Sequence, residues 1–267
     1  MFMSLVRVFR VFSRAIVVLM LAVTLAHAGK GDGEAAHEVW ILDQSNTYDS
    51  DGNATLDSGG TLYIFEGSHL VGKAASKANA EVISLGGALA EWVRTQTGTV
   101  PVRPHYITFN ASHTHAIISF VATGHVLIVE AESRLPVFVV DVGSQAHAAL
   151  PAPNESYILV ANQNGKLLQR IETDYATDTF ALNPAAELNL ATGTTPSGAL
   201  KQDDGVMQIG VRPDNAPILP LPDSTSVLAF VTLRGGGLFV VNATSIPMVI
   251  VGEYTMATID LAGLLAV

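Results

Sequence analysis

His115-Ala-Ile-Ile-Ser-Phe-Val-Ala-Thr-Gly-His-Val-Leu-Ile-Val-Glu130 and Ser156-Tyr-Ile-Leu-Val-Ala-Asn-Gln-Asn-Gly-Lys-Leu-Leu-Gln-Arg-Ile171 align without a gap, Gly124 facing Gly165. Each reads as strand, tight turn, strand. A third copy runs Val227-Leu-Ala-Phe-Val-Thr-Leu-Arg-Gly-Gly-Gly-Leu-Phe-Val-Val-Asn242, and a looser fourth pairs residues 38–44 with 60–66. The glycines are expected to supply the positive φ that a hairpin between right-twisted strands requires.

A further apolar run follows each hairpin, at 81–85, 136–142, 187–190 and 247–253, and a short strand precedes three of them, near His105, His147 and Asp214. Four strands joined as a meander and then repeated make a blade. Blades stack around a channel because none buries both of its faces alone. The predicted fold is therefore all-β, a β-propeller of four-stranded antiparallel blades over residues 29–267. An immunoglobulin-like sandwich has strands at similar spacing but does not predict self-similar turns.

The first copy starts at the second strand of its blade, so its innermost strand has to come from elsewhere. The apolar tail 256–267 either closes the ring or leaves it incomplete at the C-terminus. The copies are spaced unevenly, which implies insertions or degenerate blades. Segments 46–59, 88–102 and 192–211 read as loops, with a short helical turn over 88–97.

The N-terminus reads as a signal peptide over residues 1–28. Arg7, Arg10 and Arg14 precede the apolar run 15–25, and Ala26-His27-Ala28 ends it in a small-x-small cleavage pattern. That run is short for an uncleaved membrane anchor. The expected location is periplasmic or extracellular, with no membrane association after cleavage. Fourteen basic residues less the three leader arginines leave 11 against 24 acidic, a net charge of −13. Such a balance disfavours nucleic acid as a partner. The absence of Cys excludes disulfides, thiolate metal sites and Cys nucleophiles.

The order Arg103-Pro-His105, an Asn110-Ala-Ser-His113 turn, a strand, the Gly124 turn, a strand, Glu130-Ala131 and a fourth strand led by Pro136 resembles the YVTN group of β-propellers. These are similar to the β-chain of quinoprotein amine dehydrogenase. The resemblance covers most of residues 37–255 and implies architecture rather than chemistry. Members of such families include surface-layer and binding proteins, lactonases and copper-dependent methanethiol oxidases. No catalytic motif of any branch maps onto this chain residue by residue. The quinone of amine dehydrogenase sits in a different subunit, so that cofactor is not implied. The family pattern also implies further blade sequence beyond residue 255.

In a propeller the starts of the innermost strands crowd around one mouth of the channel. His105, His147 and Asp214 occupy comparable starts: Arg-Pro-His, Gln-Ala-His and Arg-Pro-Asp-Asn. Two imidazoles and a carboxylate suit a divalent metal ion, or general acid–base work. The plainer alternative is that they hydrogen-bond loop carbonyls and cap strand ends. Arg103, Arg212 and Asn215 are candidate binders of an anionic ligand at the same mouth, or local braces.

Other polar features read as structural. His113 and His115 fall at a turn and a strand start, and His125, beside a hairpin, reads as solvent-facing. Asp49, Asp51, Asn53 and Asp57 depart from a calcium loop at the glycine and at the twelfth position, which is Gly60, and read as a polar hairpin. His37-Glu38 lacks the second His of a zincin helix. There is no nucleophile elbow, P-loop or dinucleotide fingerprint. Gly235 to Gly237 belong to a hairpin. The sequons at Asn53, Asn110, Asn154 and Asn242 are equally well explained as turns.

Two functions follow as expectations. One is an exported scaffold that binds a small molecule or a protein partner at the channel mouth. The other is a metal-assisted hydrolase of lactonase type, or an oxidoreductase, with its site at that mouth. A truncated relic with an exposed blade edge is a third.

Overall fold

The computed structural model describes residues 37–44, 48–49, 51–70, 79–196, 213–216, 218–220 and 227–254. The leader, Arg212 and the tail 256–267 lie outside the described residues. Among the described residues, four antiparallel sheets follow one another along the chain. The first joins β1 (Glu38–Asp43), β2 (Thr61–Glu66) and β3 (Glu81–Ser84). The second is β4 (Pro104–Phe109), β5 (His115–Phe120), β6 (His125–Glu130) and β7 (Pro136–Asp141). The third is β8 (Ala146–Pro151), β9 (Tyr157–Asn162), β10 (Leu167–Asp174) and β11 (Thr179–Leu182), with β12 (Leu188–Asn189) also on β10. The fourth is β13 (Pro213–Asn215), β15 (Val227–Leu233), β16 (Leu238–Asn242) and β17 (Val249–Tyr254), with β14 (Ile218–Pro220) also on β15.

Burial decides how the sheets assemble. Every residue of β5 and β9 is buried, so these strands have no solvent face. Alternate side chains enter different interfaces, as the two-residue period of a strand requires. Ala116, Ile118 and Phe120 pack with Trp40, Leu62 and Ile64 of the first sheet. Ile117 instead joins Ile158, Val160 and Ile171 of the third. Tyr157, Leu159 and Leu168 turn the other way, toward Ala229, Val231, Phe239 and Val241 of the fourth. Sheets stacked on both faces are propeller blades. A two-sheet sandwich would leave one face of each sheet to water. The outer sheets show that pattern on their far sides: burial alternates along β15, and Ile41 and Val82 are exposed.

Polar clasps tie neighbouring blades together away from the starts of the inner strands. Arg134, after β6, lies over the Trp40 ring and donates to Glu38 at 2.5 Å. His115 pairs with Asp178 of the next blade at 2.8 Å. Arg170 donates to the Ala243 carbonyl of the fourth blade at 2.8 Å.

Four expectations are corrected. The outermost strand of the third blade is β11 rather than residues 187–190. The eight-residue β10 is long enough to pair β11 at one end and the short β12 at the other. Residues 88–97 form a complete helix, α1 (Ala88–Thr97), rather than a turn within a loop. Its Ala90 and Val93 are buried, and Gly98 closes it in the left-handed conformation. His125 is wholly buried, because α1 and the segment after it cover the start of β6; nothing in the self-alignment marked that insertion as a cover. In the second hairpin Lys166, not Gly165, takes the positive φ, at 58°.

Gly124 has a stricter role. At φ +74° its Cβ would stand 1.9 Å from the Gly143 carbonyl oxygen, where the next inner strand departs. Gly52 has a similar φ with nothing within 4 Å. Gly52→Ala is therefore expected to cost about 1–2 kcal/mol in conformational strain alone. Gly124→Ala adds roughly 1–3 kcal/mol of steric displacement to that. Urea unfolding of the two variants checks the difference, and equal costs would contradict this blade junction.

Candidate functional site

In a meander, the first strand begins at the end where the second finishes. Each blade therefore brings two loci to the mouth: the start of its inner strand and the residue after its second strand. His105, His147 and Asp214 are the starts, while Gln44, Gln163 and Arg234 follow β1, β9 and β15. Gln163 and Arg234 hold the same place in the repeat, a correspondence present in the self-alignment whose chemical use the sequence reading missed.

A common backbone irregularity singles out the starts. The register on the second strand slips between Pro104 and Tyr106, between Ala146 and Ala148, and between Pro213 and Asn215. The residue inside each slip is His105, His147 or Asp214. A β-bulge leaves one residue without a ladder partner and re-aims its side chain. Three consecutive blades thus carry the device at one position.

The side chains form a continuous polar chain. The Gln44 amide Nε2 bonds Nδ1 of His105. The His105 and His147 rings lie 4.5 Å apart, tilted by 57°. His147 Nδ1 donates to the Asp214 carbonyl at 2.7 Å, and its Nε2 stands 3.6 Å from Asp214 Oδ1. Gln163 Nε2 donates to that carboxylate oxygen at 2.7 Å, and Arg234 donates to Gln163 Oε1 at 2.7 Å. Gln145, just before β8, holds a buried side-chain oxygen without a partner among the described residues.

These contacts fix tautomers. The Gln44 amide is a donor, so His105 Nδ1 accepts and its Nε2 carries the proton. A carbonyl accepts, so His147 Nδ1 carries a proton, and its Nε2 faces the carboxylate. Burial, then the neighbouring His147 and Arg103, hold the His105 imidazole below the ordinary histidine range; Asp214 opposes them. His105 is thus a neutral donor through Nε2.

The remaining predicted residues are placed as follows. Arg103 is exposed at φ 63°, with its carbonyl accepting from Val121 at 3.0 Å. Asn215 makes local bonds, its Oδ1 to the Ala216 amide and its carbonyl to Thr232. His113 lies in a turn at φ 57°, away from His115 at the blade clasp. The Asp49 carboxylate is used within its own loop, on the Asp51 and Asn53 amides. Among the described residues, no three His, Asp or Glu side chains are grouped to hold a metal ion.

Fold and site together define a β-propeller with a polar cluster at the starts of its inner strands. The chain matches no protein-family model and no curated protein. Similar solved structures include a putative 6-phosphogluconolactonase from Bacteroides uniformis (TM-score 0.48, 14% identity, 78% of this chain and 55% of that one). The Cps50 (Swd1) β-propeller domain of Myceliophteria thermophila has a TM-score of 0.47 at 11% identity, over 74% and 54% of the two chains. The dihydro-heme d1 dehydrogenase NirN has a TM-score of 0.44 at 10% identity, over 80% and 35%. The matched region spans about half the length of these chains or less.

The lowered His105 titration gives a signed prediction. The unfolded chain takes up the proton first as pH falls, so the stabilisation is present above the ordinary histidine pKa and lost as pH drops through the lower folded value. The urea midpoint is expected to fall between pH 7.5 and 5, and less so in His105→Asn. An identical fall in both proteins would contradict the assignment.

Proposed function

We propose that the protein is an exported propeller that binds a small anionic ligand, rich in acceptor oxygens, at the mouth formed by the inner-strand starts. The observation that carries this reading is the matched set of bulges presenting His105, His147 and Asp214. Bulges of this kind re-aim side chains beside functional sites. The valences the polar chain leaves over are mostly donors: His105 Nε2–H and the rest of the Arg234 guanidinium, with Arg103 beside them. Asp214 is already engaged by Gln163. A carboxylate, such as a sugar acid, or a phosphate matches that set.

Calorimetric titration of protein beginning at Gly29 with gluconate and with inorganic phosphate tests the proposal. At least one is expected to bind, and Arg234→Ala and His105→Ala are each expected to weaken it about tenfold or more, the loss of one charge-assisted bond. Binding of neither anion, or binding indifferent to both variants, would contradict it. Export is tested separately: secreted protein should begin at Gly29, and an intact Met1 would overturn cleavage.

One contact favours a second reading, metal-assisted hydrolysis or oxidation. His147 Nε2 faces the Asp214 carboxylate across 3.6 Å, a gap that a cation would bridge. His147 Nε2 and one Asp214 oxygen would then give two donors to a divalent ion polarising a bound carbonyl, and His105 would add a third only by turning its ring away from Gln44. Stoichiometric metal in the purified protein that is lost in a His105→Ala, His147→Ala double variant is the expected result under this reading. Metal absent from both proteins removes it.

A further inference from the structure

We infer that His125 is a positioning residue for the mouth and an acid-sensitive latch: its neutral imidazole holds down the strap of residues 98–103, and charging it releases that strap. The strap delivers Arg103 and His105 to the mouth, so the functional consequence rests on the binding reading above, whereas the latch itself does not.

The strap leaves α1 through Gly98 and turns into β4. Pro101 and Val102 are buried along it, while Gly98, Thr99 and Arg103 are exposed. Beside the burial of Pro101 and Val102 and the bond from the Val121 amide to the Arg103 carbonyl, its side-chain attachment runs through His125 and Thr123. Thr97 Oγ1 lies 2.9 Å and Thr99 Oγ1 3.2 Å from Nε2. On the other side of the ring, Thr123 Oγ1 lies 2.8 Å from Nδ1 and accepts the Val102 amide at 3.1 Å. Thr97 Oγ1 also reaches the Val93 carbonyl at 2.9 Å.

One neutral proton arrangement satisfies both ring nitrogens and the Thr97 and Thr123 hydroxyls. Val102 N–H donates to Thr123, whose hydroxyl donates to Nδ1. Nε2–H donates to Thr97, whose hydroxyl donates to the Val93 carbonyl. A second ring proton forces Thr123 to accept from both Val102 and the ring, and its own hydroxyl proton loses its acceptor. The larger cost is the charge. His125 has no exposed surface, and hydroxyls do not neutralise a cation.

The surroundings offer little compensation. From α1 the ring meets Thr97, from the strap Thr99, from its own hairpin Thr123, and from β5 the edge of Phe120 at 6.4 Å. The charged group facing it among the described residues is Asp141, its cross-strand partner on β7, which is exposed. Burial lowers the His125 titration below the ordinary range, and Asp141 only opposes this. The latch is therefore closed above the ordinary histidine pKa and opens as pH falls through the lowered value. Water reaches the charged ring most directly by lifting the strap, whose exposed residues cover it. Release also frees Arg103 from its left-handed backbone.

Hydrogen exchange of the Val102 amide from pH 7.5 to 4.5, corrected for intrinsic exchange, tests the latch without any ligand. In wild-type protein, protection is expected to fall by up to about tenfold per pH unit between the ordinary histidine pKa and the lowered folded value, and to level off below it. His125→Gln should abolish that acid dependence, and His105→Asn should leave it in place. Should His125→Gln fold poorly, Asp141→Asn gives a second reading: loss of the opposing carboxylate moves the transition to lower pH. Flat protection in wild type, an acid loss that persists in His125→Gln, or a transition unmoved by Asp141→Asn overturns the inference. Failure of the anion titration with a working latch would instead count against the binding reading alone.

Discussion

The structure depends on one packing constraint: a small antiparallel sheet with two apolar faces cannot keep both from water by itself. β5 and β9, buried along their whole length, express that constraint most fully. Each blade must lean on its neighbours, and the interior side chains divide by parity between two interfaces. Apolar burial worth about 25 cal/mol per Å² supplies the drive. The Arg134, His115 and Arg170 clasps add direction, since each reaches a particular partner on the adjacent blade.

Convergence at the mouth is a consequence of this stacking. Consecutive starts lie far apart in sequence, yet His105 meets His147 ring to ring and His147 meets Asp214. The polar chain from Gln44 to Arg234 is therefore a tie between blades and, under the proposed binding function, also a set of donors for the ligand. The two roles do not compete. Contacts that fix the His105 and His147 tautomers also leave defined valences open, which is the preorganisation a ligand site needs.

Much of this was legible in the sequence. Aligned hairpins with glycine at the turn fixed the blade, and aligned strand starts picked out His105, His147 and Asp214. The bulges were not legible, because a one-residue slip leaves no signature in side-chain type when the extra residue is polar and lies at a strand start. Gln163 and Arg234 were aligned but looked like ordinary hairpin polars, since their value lies in partners from another blade. His125 was misread because its cover, α1, sits in an insertion outside the repeat, and Lys166 at the matching position has no such cover. The strand β11 was missed because Phe180 is its only buried side chain, too weak a pattern to set against the apolar run at 187–190.

The central claim, that stacked blades bring distant strand starts together, is most directly tested by proton NMR of the His105 and His147 rings. A centroid separation of 4.5 Å predicts a strong through-space cross-peak between the two imidazoles. With both rings assigned and sharp, the absence of that cross-peak would contradict the packing from which the site is built.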